Sequence, residues 1–327
     1  MGEYKAAIES RGSFALAENN LGVALDRVGE HDEAIVHFSR AVDLNKGYVD
    51  AIFNLGLAYF RAGKLAEAQA QFERVVELEP DLPEAQFHLG EVYYQRGRSK
   101  KALTLYKKAL YTRPDDALTY RRLARAYLEQ GETDQAVLYL ERLIRIAPDD
   151  ALAHEQLGLA LSARNDRLSL VRAAKELAEA QRLDPESPAS VVSRARILYR
   201  LKKTSESKQA LSLAFELDPT HRPAVLLLGD ILEANKDFAE ALDLYAKASK
   251  KSPSFAEAHY RSARIYRRQK KRTEEQKAYR QALLLNPGHV KARTELGGSF
   301  LEARNFEQAK TTLSKAVERD PSYAPAR

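Results

Sequence analysis

Apolar and small residues recur along almost the whole chain at spacings of three, four and seven, the period of a helix with one buried face. The clearest stretch is residues 83–116, PEAQFHLGEVYYQRGRSKKALTLYKKALYTRPDD. Leu89, Gly90 and Tyr93 mark the inner face of one short helix, and Ala102, Tyr106 and Ala109 mark that of a second. Gly97 lies between them, where a turn needs a residue that enters the left-handed region without strain. Pro114 lacks an N–H and closes the second helix. Gly90 and Ala102 are small enough for two antiparallel helices to approach closely, with Tyr93 and Tyr106 filling the space around the contact. One such hairpin cannot bury its apolar face alone.

The neighbours it needs follow at a step of 34 residues. The small place of the first helix reads Gly22, Gly56, Gly90, Ala124, Gly158, Ala195, Gly229, Ala263, Gly297. The bulky place three residues on reads Leu25, Tyr59, Tyr93, Tyr127, Leu161, Leu198, Leu232, Tyr266, Phe300. The closing place holds Lys46 and then eight of the chain's 12 prolines, Pro80 to Pro321, too many in one column for chance.

This pattern of Leu-Gly-x-x-Tyr, a glycine turn, Ala-x-x-x-Phe/Tyr-x-x-Ala and a closing proline resembles the tetratricopeptide repeat. The resemblance covers Ala15 to Tyr323. It implies an all-α fold, a right-handed superhelical solenoid of about nine stacked helix-turn-helix repeats without any sheet. The repeats fall at 15–48, 49–82, 83–116, 117–150, 151–187, 188–221, 222–255, 256–289 and 290–323, so 15–327 is one solenoid. Residues 1–14 read as the tail helix of a partial repeat, since Tyr4, Ala7 and Ile8 match Phe38, Ala41 and Val42 one unit later. The family's frequent first-helix tryptophan is absent, with Ile52, Tyr120, His154, Val191, Val225 and His259 in its place.

Two repeats are irregular. The fifth has 37 residues, and its surplus of three is expected in the turn around Arg164 to Arg167. The sixth carries Ser207 in the alanine column and Arg194 where leucine is usual, and in the eighth Glu275 interrupts the same alanine column. A change of curvature and the lowest stability are expected between repeats five and six. Leu313, Ala316 and Val317 are expected to leave an apolar face on the last helix, where self-association through uncapped ends becomes an option.

Composition narrows the functional classes. Cysteine is absent, which removes disulfides, thiolate metal sites and cysteine nucleophiles. No stretch is long and apolar enough to span a membrane. The start has no apolar signal core, and a cytoplasmic protein is the expectation. The seven histidines form no metal spacing, and no Walker loop or dinucleotide fingerprint occurs. No enzyme, metal or cofactor is expected.

The net charge of +6 is unevenly placed. Repeat eight holds nine basic residues against three acids, an excess equal to that of the whole chain. The resemblance implies that first helices line a concave face that binds peptides or folded partners. In repeats two and three the outward places of those helices hold Phe53, Leu57, Phe60, Phe87, Glu91 and Tyr94, an aromatic patch. Later repeats supply Arg121 and Arg125 beside Arg122, then Arg196, Tyr199 and Arg200, then Tyr260, Arg264, Arg267 and Arg268 beside Arg261. Cations four apart repel mildly on an isolated helix, and a run of them without local acids points to an acidic partner. The clamp that grips acidic chaperone tails is matched only at Asn54, with Asn19, Val23, Glu84 and His88 at its other places. An asparagine ladder is matched only at Asn20 and Asn54.

The expected function is a non-enzymatic protein-binding scaffold or adaptor. Its partner is a protein or peptide with acidic groups and an apolar anchor. RNA binding through the basic groove is the first alternative. A targeting arm of a larger enzyme or assembly is the second.

Overall fold

The computed structural model describes residues 11–323, so the proposed tail helix at 1–14 lies largely outside the described residues. Among the described residues there are eighteen helices and no strand. The chain divides into two compact units, Met1–Ala163 and Arg164–Arg327. The division falls inside the irregular fifth repeat.

The N-terminal unit holds α1 (Arg11–Val28), α2 (His31–Leu44), α3 (Val49–Arg61), α4 (Leu65–Leu78), α5 (Pro83–Gln95), α6 (Ser99–Thr112), α7 (Ala117–Glu129), α8 (Thr133–Ile146) and α9 (Ala151–Ala163). The C-terminal unit holds α10 (Arg167–Leu183), α11 (Pro188–Arg200), α12 (Thr204–Leu217), α13 (Arg222–Ala234), α14 (Phe238–Lys251), α15 (Ala256–Arg268), α16 (Arg272–Leu285), α17 (Val290–Glu302) and α18 (Phe306–Arg319). From α3 onwards, first helices have 13 residues and second helices 14, except α10. Pro83 and Pro188 open their helices, where a missing N–H costs nothing. Asp116 and Asp150 cap theirs, accepting from the N–H groups of Thr119 at 3.0 Å and Ala153 at 3.1 Å.

The hairpin seam is built from glycine against a ring. A Cβ at Gly56 would lie 2.8 Å from the Phe72 ring, and one at Gly90 would lie 2.7 Å from the Tyr106 ring. Gly229 faces Tyr245 and Gly297 faces Leu313 in the same manner. The rings of Phe72, Tyr106 and Tyr245 are fully buried, each contributing on the order of 2–3 kcal/mol of apolar burial. Around the seam, Ala34, Phe38, Val42, Ile52, Leu55 and Val75 form one core in the N-terminal unit. Val191, Leu211, Val225, Leu228, Ile231 and Tyr245 belong to one in the C-terminal unit.

Three expectations change. The surplus of repeat five does not lengthen the turn, which occupies 164–166 and matches the turn at 62–64 in length. It adds a helical turn to α10, which has 17 residues and is capped by Asp166 accepting from the Ser169 N–H at 2.8 Å. Ser207 is not a gap in the seam, because it is fully buried and its hydroxyl donates to the Ala195 carbonyl at 2.7 Å. Leu313 and Ala316 are not on an outward face. Leu313 is seated against Gly297 and Ala316 is fully buried, so both close the α17–α18 seam. No helix of the described residues is long and apolar enough to cross a membrane.

Candidate functional site

In the N-terminal unit the candidate residues come from the exposed sides of α3, α5 and α7. Phe53, Leu57, Phe60, Phe87 and Tyr94 are all half-buried rather than open. The small seam glycines let Phe72 and Tyr106 lie flat between the helices, and the first-helix rings settle onto them. Phe53 is 5.7 Å from Phe72 and 5.5 Å from His88, while Phe87 is 5.2 Å from His88 and 5.8 Å from Tyr106. The aromatic patch is therefore the upper layer of the hairpin core, not a surplus beyond it. Burial, helped by the Arg61 charge, pushes the His88 imidazole down to about 4, so it is neutral among the rings. Beside it, Phe87, His88, Ala109, Leu118 and Thr119 line a cleft of about 180 Å³, with the Glu84–Arg113 ion pair at its rim. Sequence reasoning passed over Leu118, which is 43 % exposed there.

Acids of the same repeat and of the preceding one reach the arginines. Glu91 was expected to point outward, but it is buried between the Tyr106 hydroxyl and the Arg122 guanidinium, whose Nε lies at 2.9 Å. Arg121 pairs with Asp150. Arg125 donates to Glu129 at 3.1 Å and sits 5.8 Å from the centre of the Tyr94 ring.

The C-terminal unit repeats this register. Arg261 pairs with Asp230, 31 residues before it, as Arg122 does with Glu91. Arg267 donates to Glu302 at 2.6 Å, and Arg268 lies 3.7 Å from Glu233. Arg264 stands 5.9 Å over the Tyr260 ring. Tyr260 itself is buried, with its hydroxyl donating to Glu295 at 2.8 Å, so it belongs to the packing beneath this face. Arg196 and Arg200 are exposed, and Arg200 donates to the Asn165 side chain. The expectation of cations without local acids fails for Arg267 and Arg268. Their acids lie 35 residues on and 35 residues back, on the first helices of the flanking repeats.

A second cleft, of about 740 Å³, opens near the turns after α14 and α16, lined by Arg222, Phe255, Glu257, His289, Asp320 and Tyr323 among others. Burial raises the Glu257 carboxyl, but hydrogen bonds from His289 and Arg261 outweigh it and hold the group below its usual range. None of these residues was picked out as a candidate site in the sequence, because they sit in the turns between repeats and at the first residues of the helices that follow, away from the outward places of the first helices. Among the described residues, no three His, Asp or Glu side chains converge to hold a metal ion.

Comparison with known proteins places these faces in context. The family model described as the cilia and flagella-associated protein 70 C-terminal domain, a tetratricopeptide-repeat domain, matches residues 48–259. Further tetratricopeptide-repeat models match residues 13–79, 256–289 and 276–324. Among solved structures, the C-terminal part of a tetratricopeptide-repeat protein from Cytophaga hutchinsonii superposes with a TM-score of 0.59 at 17% identity, covering 84% of this chain and 97% of its own. YrrB, described as a tetratricopeptide-repeat protein with an unusual peptide-binding site, gives 0.53 at 20% identity, covering 58% of this chain and 96% of its own. MamA from Desulfovibrio magneticus gives 0.50 at 21% identity, covering 54% and 98%. A search of curated proteins found no match.

Proposed function

Because the chain belongs to the tetratricopeptide-repeat family, in the group described as the cilia and flagella-associated protein 70 C-terminal domain, we propose that it is a non-enzymatic scaffold that binds a partner protein or peptide along its first helices. Proteins of this family serve in general as protein–protein interaction scaffolds. The N-terminal unit offers the apolar anchor site and the C-terminal unit offers cations to acidic groups. The observation that carries this reading is the half-buried row Phe53, Leu57, Phe60, Phe87 and Tyr94. The Phe53 and Phe87 rings are fixed by packing on Phe72, His88 and Tyr106 while staying partly accessible, so little entropy is lost when a partner covers them. The peptide-binding site named for YrrB supports a peptide ligand by analogy.

The arginine face supplies less free charge than its sequence suggests, since most of its members already hold an acid. Those pairs are partly exposed, and a partner carboxylate exchanges with them at small cost. A phage-displayed peptide library selected on the intact protein tests the reading. Enriched peptides are expected to carry an aromatic or long aliphatic residue together with Asp or Glu. Phe53→Ala/Phe60→Ala should remove the apolar preference and leave the salt dependence unchanged. Arg264→Glu/Arg268→Glu should remove the acidic preference. Failure to enrich any peptide, with tight capture from a random RNA pool, overturns the scaffold reading in favour of RNA.

A further inference from the structure

The turns inside the hairpins show a second surface, separate from the first-helix faces. Each closes its first helix with one residue in the left-handed region. In the N-terminal unit these residues are Gly29, Gly63, Gly97 and Gly131. In the C-terminal unit, after Asn165, they are Lys202 at φ 64°, Lys236 at 66°, Lys270 at 58° and Arg304 at 55°. A Cβ placed on the four glycines would meet nothing within 4 Å. Side chains at this place therefore gain no packing for the strain they impose.

The four cations are exposed, and among the described residues their side chains make no ion pair or hydrogen bond. Several nearby acids are already held, while Glu274 and Glu307, in the first turns of α16 and α18, are exposed. Lys203 engages Glu206 at 3.0 Å, Lys208 engages Asp237 at 3.2 Å, Arg267 engages Glu302 at 2.6 Å and the Tyr245 hydroxyl engages Glu233 at 3.0 Å. Across the five three-residue turns of this unit, seven residues are basic and two acidic. The four glycine turns hold three basic and two acidic residues, so the excess belongs to the C-terminal unit.

We propose that Lys202, Lys236, Lys270 and Arg304 form an edge that docks an extended acidic segment of a partner protein. The cations recur every 34 residues, one per repeat, on turns at the same end of successive hairpins. Neighbouring first helices touch, as the 2.8 Å bond from Tyr260 to Glu295 shows, so consecutive cations stand roughly one helix-packing distance, about 10 Å, apart. An extended chain covers about 3.3 Å per residue, and a carboxylate at about every third residue meets each cation in turn. The turns carry no aromatic residue on which a base could stack. Their only apolar side chains are a half-buried Leu201 and Ala303, which leaves little within the turns to insert into a lipid surface.

The test uses the whole chain and two fluorescent 12-residue peptides of equal composition, one with Glu at every third position and one with the same Glu residues clustered. A 12-nucleotide single strand and vesicles containing phosphatidylserine serve as competing probes. The quadruple variant Lys202→Gly/Lys236→Gly/Lys270→Gly/Arg304→Gly removes the edge while relaxing the backbone. Lys250→Gln/Lys277→Gln/Lys310→Gln/Lys315→Gln removes the same charge from exposed helical sites. The wild type should prefer the spaced peptide. The glycine variant should lose affinity by about tenfold or more at low salt while its melting temperature holds or rises. The glutamine variant should keep the preference. Equal losses in both variants overturn the proposal, because net charge alone would then explain binding. No preference for the spaced peptide, or tighter binding of the nucleotide or vesicle that the glycine variant abolishes, overturns it as well. Either result leaves the first-helix reading untouched, since neither variant alters those faces.

Discussion

The two units close their hairpins with one backbone and two chemistries. In the N-terminal unit the Lys64 N–H reaches back to the Tyr59 carbonyl at 2.9 Å, across Gly63. In the C-terminal unit Lys203 reaches Leu198 at 2.9 Å across Lys202, and Lys271 reaches Tyr266 at 2.9 Å across Lys270. Both are the same helix-ending motif, which demands a left-handed residue at its centre. The demand comes from the hairpin, and the residue that meets it is free to vary. The seam between helices shows no such freedom, since Gly90 against Tyr106 in one unit and Gly229 against Tyr245 in the other obey the same steric limit. Residues that hold two helices together are fixed by volume, whereas residues that only reverse the chain can carry charge at a modest cost.

The largest effect should come from the seam, and it should separate the units by atom. At Gly229 an added Cβ would meet the Tyr245 hydroxyl first, whereas at Gly90 it would meet Tyr106 ring carbons at 2.7 and 2.9 Å. Either glycine to alanine should cost about 2–3 kcal/mol by overpacking. Adding Tyr245→Phe to Gly229→Ala should recover part of that loss, because the first clashing atom is gone. Adding Tyr106→Phe to Gly90→Ala should recover none. Urea unfolding of the single and double variants decides it, and equal recovery in both units would show that the rings shift instead of clashing.

Acid should distinguish the units next. His88 sits in the N-terminal aromatic stack with its affinity for protons lowered from 6.5 to about 4. The folded unit binds this proton less readily than the unfolded chain does. Its contribution is therefore complete above the unfolded value and is lost as pH falls through 6.5 towards 4, by about 2 kcal/mol between pH 7 and pH 5. The equivalent place in repeat eight is Arg261, which stays charged and is held by Asp230 and Glu257. His88→Leu should flatten the pH dependence of stability over that window relative to wild type. Superimposable pH profiles for the two proteins would mean that the imidazole takes up its proton as readily in the folded state as in the unfolded chain.

Most of the fold was legible because repeat columns report volume. The glycine, alanine and proline places determine where helices touch and stop, and each occurs about nine times. The candidate faces were less legible, since their electrostatics depend on residues one repeat away. Glu91 looked like an outward residue on its own helix, but Tyr106 and Arg122 draw it inward. Arg267 looked unpaired until Glu302, 35 residues on, came beside it. The extra residues of repeat five were assigned to a loop because loops accept insertions easily. Asp166 and Ser169 supply a cap that let them continue α10 instead. The left-handed cations escaped notice because a lysine among exposed polar residues carries no sign of its φ.

Exchanging the turn residues gives the smallest effect and the sharpest use of the comparison. A non-glycine residue in the left-handed region costs about 1 kcal/mol, so Lys236→Gly should stabilise the protein and Gly63→Lys should destabilise it by a similar amount. The lysine has one compensation, since a cation at the end of a helix gains about 0.3–1 kcal/mol from the helix dipole at low salt. Salt screens that gain but leaves the backbone strain unchanged. The benefit of Lys236→Gly should therefore be small at low ionic strength and grow towards about 1 kcal/mol as salt is added. The loss in Gly63→Lys should grow with salt for the same reason. Urea midpoints at several salt concentrations measure both. A benefit that shrinks with salt would show that charge repulsion along the C-terminal edge, not φ, sets the cost of these lysines. If neither substitution changes stability at any ionic strength, these lysines carry neither strain nor dipole gain, and the two turn chemistries are interchangeable as far as folding is concerned.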